Sequence, residues 1–249
     1  MKASLMSLLM SVAIAVSSPA HGGVKTIVLV HGAFADGSGW KAVADILQSR
    51  DYAVRVVQEP LTTFEADVAA VRRVLDKAGP CVLVGHSYGG MVITEAGSHP
   101  SVKSLVYVSA FLPDVGESAG ALQKKTPPAG NSIEPVGDGF LQINLAAFPN
   151  DFAADVPKSV ARFMTTSQVP IAEEIFWCEG QGGGLEREAE LCRVPEAGPA
   201  EQSKSGRCAN DAASGQCTRL DSIISNLNST ASARSMSAFG GKADNVCSF

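Results

Sequence analysis

From Lys25 to Ala110 the chain alternates two hydrophobic patterns. Thr26-Ile27-Val28-Leu29-Val30 is a continuous β-branched and leucine run, which predicts a strand buried on both faces, as in a parallel sheet. His31-Gly32 ends it. From Gly39 to Arg50 the apolar residues Trp40, Val43, Ala44 and Leu47 return at helical spacing, with Ser38 as the predicted N-cap. Tyr52 to Val57 predicts a second strand, and Thr63 to Ala78 a second helix with Phe64, Val68, Val71 and Leu75 along one stripe. A third strand over Cys81 to Val84, a third helix over Tyr88 to Gly97 and a fourth strand over Leu105 to Val108 complete the series. Strand and helix in strict alternation build a mostly parallel sheet with helices on both of its faces.

Past Pro113-Asp114 the pattern loosens. Residues 115 to 177 carry prolines at 127, 128, 135, 149, 157 and 170 between short helical stretches, which predicts a small helical cap lying over the sheet. From Cys178 to Phe249 only 11 of 72 residues are Leu, Ile, Val, Phe or Met, too few to build a core, so this tail is expected to be irregular and to add little to the sheet. Its one periodic stretch is Leu220, Ile223, Ile224 and Leu227.

At the other end, Lys2 precedes an apolar stretch from Ala3 to Val16, and Ser18-Pro19-Ala20 places small residues where a signal peptidase cuts. The stretch is shorter than the roughly 20 residues a bilayer span needs, so a cleaved export signal over residues 1–20 is expected in preference to a membrane anchor. The chain would then be periplasmic or secreted, leaving a domain over 24–177 and the tail 178–249. Export implies an oxidising compartment, in which the late cysteines Cys178, Cys192, Cys208, Cys217 and Cys247 could pair; with Cys81 buried, five cannot all pair within one chain.

Twenty basic against 25 acidic side chains, a net charge of −5 and no lysine-arginine block remove the electrostatic footprint of nucleic-acid binding. No C-x-x-C pair occurs, so no metal site is expected. Gly37-Ser38-Gly39-Trp40-Lys41-Ala42 spells a relaxed G-x-G-x-x-A, but a dinucleotide turn follows its strand directly, whereas His31 to Asp36 intervene here. No cofactor is expected.

The chemistry falls at the end of the third strand. Gly85-His86-Ser87-Tyr88-Gly89 fits G-x-S-x-G between a buried strand and a helix, where a sharp turn lifts the serine hydroxyl above the sheet. Free N–H groups at the start of the following helix would stabilise negative charge on a carbonyl oxygen there. An acyl-transfer site needs a second donor from the loop after an earlier strand, and Ala33 in His31-Gly32-Ala33-Phe34 holds that place, with Phe34 in reserve and Tyr88 as the first donor. His31 is read as shaping that loop.

These segments, with Gly37-Ser38-Gly39-Trp40 and Leu105-Val106-Tyr107-Val108-Ser109-Ala110-Phe111-Leu112-Pro113-Asp114, together resemble the α/β-hydrolase superfamily from about Lys25 to Trp177. The resemblance is nearest to small esterases, methyl-ester hydrolases and hydroxynitrile lyases. It implies an α/β-hydrolase-type sheet with a cap, a Ser87 nucleophile, oxyanion donors at Ala33 and Tyr88, and a small ester-like substrate. That family places its acid and then its histidine after the cap, in chain order Ser, Asp or Glu, His. The histidines here are His21, His31, His86 and His99, with none later. His99 lies 12 residues past Ser87, about 18 Å along a helix. The composition of the tail favours a replaced C-terminal third over a diverged one. The expected function is therefore a serine hydrolase of small esters weakened by the missing base, the alternative an inactive relative that binds an acyl-like ligand.

Overall fold

A computed structural model describes residues 24–125 and 132–180 and the backbone of 192–194. The export segment 1–20, the Leu220 to Leu227 stripe and Cys208, Cys217 and Cys247 lie outside the described residues. The predicted alternation is present: β1 (Thr26–Val30), α1 (Lys41–Gln48), β2 (Ala53–Val56), α2 (Phe64–Ala78), β3 (Cys81–Ser87), α3 (Gly89–Ala96) and β4 (Val102–Ala110). With β8 (Cys192–Val194) they form one parallel sheet in the order β2-β1-β3-β4-β8.

The two-residue period of the strands divides their side chains between two cores. Val28, Val30, Leu83, Leu105 and Tyr107 pack with Val68, Val71 and Leu75 of α2 and with Met91, Val92 and Ile93 of α3. Ile27, Leu29, Val82, Val84, Val106 and Val108 pack on the opposite face with Trp40, Leu47 and Tyr52. A sheet covered on both sides requires apolar residues at consecutive strand positions, which is why the strands read as unbroken runs. Helix α2 shows how local signals agree with this packing. The Thr63 hydroxyl accepts the Ala66 N–H at 3.1 Å, Glu65 and Asp67 sit in the positive first turn, and Gly79 stops the helix at φ 66°.

The structure departs from the sequence reading in four places. Ser38 is not a helix cap: the Asp36 carboxylate accepts the Ser38 N–H at 2.7 Å and caps a 3₁₀ turn over Gly37–Trp40, from which α1 continues. Strand β3 runs on through Gly85 and His86 to Ser87, and β4 starts at Val102, because ladder pairing continues where the apolar run does not. The cap is not purely helical. Beside α4 (Ala119–Lys125), α5 (Phe148–Asp151) and α6 (Lys158–Ser167) it holds an antiparallel sheet of β5 (Ile133–Gly137), β6 (Phe140–Ile143) and β7 (Ile171–Ala172). Pro135 is tolerated because β5 is an edge strand, and Asp138-Gly139 closes the hairpin with φ of 52° and 77°, the conformation of a tight two-residue turn. Finally, β8 extends the sheet past β4, pairing Cys192, Arg193 and Val194 with Val106, Tyr107 and Val108. The tail, expected to add little to the sheet, thus contributes three residues of strand beside β4.

Leu83 is fully buried at the centre of the sheet. Leu83→Ala is expected to lower the unfolding free energy by about 2–5 kcal/mol with an unchanged urea m-value. A loss within the scatter of surface substitutions would show that this face is not close-packed.

Candidate active site

Ser87 stands where β3 turns into α3, with φ 51°, a backbone region L-residues seldom occupy. The turn is held by backbone in contact with backbone. A Cβ on Gly85 would lie 2.6 Å from the Gly89 carbonyl oxygen, and one on Gly89 2.4 Å from that of His31. A Cβ on Gly90 would meet the Phe111 carbonyl oxygen at 2.0 Å. These are the physical reasons for glycine on both sides of the serine: the helix starts too close to β3, β1 and the end of β4 for any side chain. The Ser87 carbonyl also accepts the Phe111 N–H at 3.1 Å, which ties the turn to the far end of β4.

The loop after β1 reaches the same point. A Cβ on Gly32 would fall 2.8 Å from Ser87 Cβ, so Ala33 and Tyr88 are the chain neighbours of two residues in contact. Ala33, Phe34 and Tyr88 are all buried, and Phe34 holds φ 61°. Among the described residues the N–H groups of Ala33, Phe34 and Tyr88 find no acceptor. Above the loop, the Phe34 ring stacks on Phe176 of the cap at 6.2 Å between centroids. Phe176 is also a wall of a cavity of about 310 Å³ lined by apolar Ile133, Leu141 and Trp177 and by Lys124 and Glu173. Ser87 itself is closed over, with 4% of its surface exposed.

The profile of the Alpha/beta hydrolase family matches residues 27–182. This chain belongs to that family. A carbendazim hydrolyzing esterase of Nocardioides sp. (strain SG-4G) is 34% identical over 128 residues, 45% of this chain and 52% of the relative. A pyrethroid hydrolase of Sphingobium wenxiniae is 30% identical over 141 residues, 47% of this chain and 49% of the relative. The chain thus matches only about half the length of these relatives. Among solved structures, tomato methylketone synthase I superposes with a TM-score of 0.62 at 16% identity, covering 82% of this chain and 99% of that one. A pyrethroid hydrolase from Sphingobium faniae JZ-2 gives 0.55 at 21% identity, with 77% and 97% covered. These structural likenesses establish the fold.

In this α/β hydrolase no histidine described is placed to serve Ser87. His31 Nε2 accepts the Glu59 N–H at 3.0 Å, so the proton is on Nδ1, which donates to the Gly32 carbonyl at 2.9 Å. Burial lowers the His31 pKa and keeps it neutral, a loop-shaping group. His86 points to the opposite face, edge-on to Trp40 at 6.3 Å, and burial, with His31 second, pushes it down to about 4. His99 lies beyond α3, with Nε2 3.2 Å from Asp76 Oδ1 on α2. His21 is outside the described residues. Among the described residues nothing hydrogen-bonds the Ser87 hydroxyl, and no cluster of three or more His, Cys, Asp or Glu could hold a metal.

Two acids that the sequence reading passed over stand behind the site. Asp67 is fully buried: Oδ2 accepts the Tyr88 hydroxyl at 2.8 Å and Oδ1 the Leu61 N–H at 2.8 Å. Burial outweighs both hydrogen bonds and raises its pKa to about 6. Glu59, 4% exposed, has neither carboxylate oxygen hydrogen-bonded among the described residues, although Oε2 lies 3.3 Å from His31 Nδ1. Burial, and the charge of Asp67 after it, raise Glu59 well above the ordinary carboxylate range, so it is held as the neutral acid. The signal for Asp67 was present: a charged residue inside the apolar stripe of α2.

Because Asp67 rises from an ordinary 3.8 to about 6 on folding, the protonated form favours the fold, and that stability is lost as pH climbs from 4 through 6. His86, depressed to about 4, acts in the opposite sense over the same range. The comparison of wild type with Asp67→Asn isolates the acid. Urea unfolding is expected to show the variant gaining on the wild type by up to roughly 3 kcal/mol between pH 4 and 7. A difference that stays constant with pH would mean that Asp67 does not titrate in the folded chain.

Proposed function

We propose that this chain hydrolyses small carboxylic esters through Ser87, slowly, because no histidine among the described residues is placed to take the serine proton. The observation that carries the reading is the strained Ser87 turn with the His31-Gly32-Ala33 loop packed directly on it. The Ser87 oxygen attacks the ester carbonyl, and the N–H groups of Ala33 and Tyr88, with Phe34 in reserve, hold the oxygen that becomes negative. Collapse of that intermediate expels the alcohol and leaves an acyl group on Ser87, which water removes. The proton of the serine passes to solvent in place of an imidazole, so the attacking oxygen is a feeble nucleophile at neutral pH.

The cavity on the far side of Phe176, lined by Ile133, Leu141, Phe176 and Trp177 and by none of Ser87, Ala33 and Tyr88, offers hydrophobic contact to the apolar part of an ester once the contact of Phe34 with Phe176 opens. The esterase and hydrolase named among the relatives support the substrate class. A second reading, binding of an acyl-like ligand without turnover, is favoured by the absence of a base at Ser87 among the described residues. The apolar start of the chain supports export, with cleavage near Ala20, to the periplasm or the medium. No helix among the described residues is long and apolar enough to cross a membrane.

A serine site without its base retains a rate of roughly 10³ to 10⁴ over water from the oxyanion contacts and binding. Hydrolysis of p-nitrophenyl acetate by the purified chain is expected a little above that floor, with Ser87→Ala lowering it to the floor. A rate unchanged in Ser87→Ala would leave the site as a binding pocket. Turnover in the ordinary enzyme range would mean that a base outside the described residues reaches Ser87.

A further inference from the structure

The short segment between β2 and α2 bonds to the loop after β1, to the cap and to α2. Glu59 gives its N–H to His31 at the root of the Ala33 loop, at 3.0 Å. Leu61 accepts the Ala172 N–H of the cap at 2.9 Å and holds φ 55°, a conformation that persists only where surrounding contacts enforce it. Its own N–H goes to one oxygen of Asp67, and the other oxygen takes the hydroxyl of Tyr88.

Tyr88 is the residue after Ser87 and the N-cap of α3, yet no side chain caps that helix end. What fixes Tyr88 is its own ring, 1% exposed and tied at its far end to Asp67. We propose that Asp67 is a positioning residue for the oxyanion pocket, joining Tyr88 to the Glu59–Leu61 segment and so setting the Tyr88 N–H against the Ala33 loop. The proposal rests on the reading of Ala33 and Tyr88 as oxyanion donors. Asp67 touches neither substrate nor reacting atoms. Its two hydrogen bonds close a chain of contacts running from the β1 loop through His31, Glu59, Leu61 and Asp67 to the ring beside the nucleophile. A donor displaced by a fraction of an ångström holds the transition-state oxygen less well while binding the ester almost as before, so the effect belongs in kcat more than in KM.

The test uses the full chain labelled with ¹⁵N and the variants Tyr88→Phe, Asp67→Ala and Asp67→Asn. The carboxamide of Asp67→Asn can still accept the Leu61 N–H and offer its NH₂ to the Tyr88 oxygen, so it is the rescuing change. Tyr88→Phe and Asp67→Ala are expected to shift the amide resonances of both Tyr88 and Ala33, leaving Ile27 and Val106 on the opposite face in place; Asp67→Asn is expected to keep all four. With p-nitrophenyl acetate, Tyr88→Phe is expected to lower the Ser87-dependent kcat about tenfold, part of what a lost oxyanion donor removes, with KM within about twofold. Unmoved Tyr88 and Ala33 resonances in folded Tyr88→Phe would overturn the proposal, as would Asp67→Asn behaving like Asp67→Ala. Should Asp67→Ala fail to fold, Tyr88→Phe, which removes one oxygen, carries the decision. A wild type with no Ser87-dependent rate would overturn the hydrolase reading alone, because the resonances report the geometry without turnover.

Discussion

Backbone packed against backbone around Ser87 is the constraint on which this structure turns. Three strand ends and one helix start meet there, and at Gly85, Gly89 and Gly90 a single added carbon would lie 2.0–2.6 Å from a carbonyl group of a neighbouring segment. Approach that close leaves the serine one backbone conformation, φ 51°, and strain of that kind survives only when the surroundings determine it completely. The two hydrophobic cores supply that determination. They fix β1, β3 and β4 in register, so the places where the strands end, and with them the serine and the Ala33 loop, are set by the packing of the sheet.

Strained backbone gathers at the same end of the sheet. Phe34, Leu61, Ser87 and Ser109 all have positive φ without being glycine. Each follows a strand or lies close to its end, and each is buried. The polar groups behind them are neutral where the sequence suggests charge: Glu59 and His31 sit side by side, both kept uncharged by burial. Asp67, whose pKa burial raises to about 6, is the acid that carries charge behind Tyr88 at neutral pH.

Much of this was legible in the sequence. The strands read as apolar runs because both faces of the sheet are covered, and G-x-S-x-G fell between a strand and a helix as the turn requires. The α2 stripe of Phe64, Val68, Val71 and Leu75 is buried throughout. What escaped had physical reasons. The hairpin over β5 and β6 was hidden by a proline that only an edge strand accepts, and by a taste for helix wherever short segments are broken by proline. The Asp36 cap was missed because the turn it closes is 3₁₀ and lies one step ahead of the helix. Glu59 escaped because it lies in a segment without periodicity, where nothing in a linear pattern says which acid is buried; Asp67 was legible from its place inside the apolar stripe of α2 and was passed over.

On the proposed reading Ser87 is geometrically prepared and, among the described residues, chemically unassisted. Its reaction with a fluorophosphonate, followed by mass spectrometry of the peptide carrying Ser87 from pH 5 to 9, tests both halves at once. The expected result is a label on Ser87 whose rate keeps rising with pH across the whole range, as for a hydroxyl that must lose its proton to solvent. A label on Ser87 whose rate levels off near pH 7 would reveal a histidine in attendance, and a folded chain that takes no label at Ser87 would contradict the account at its root.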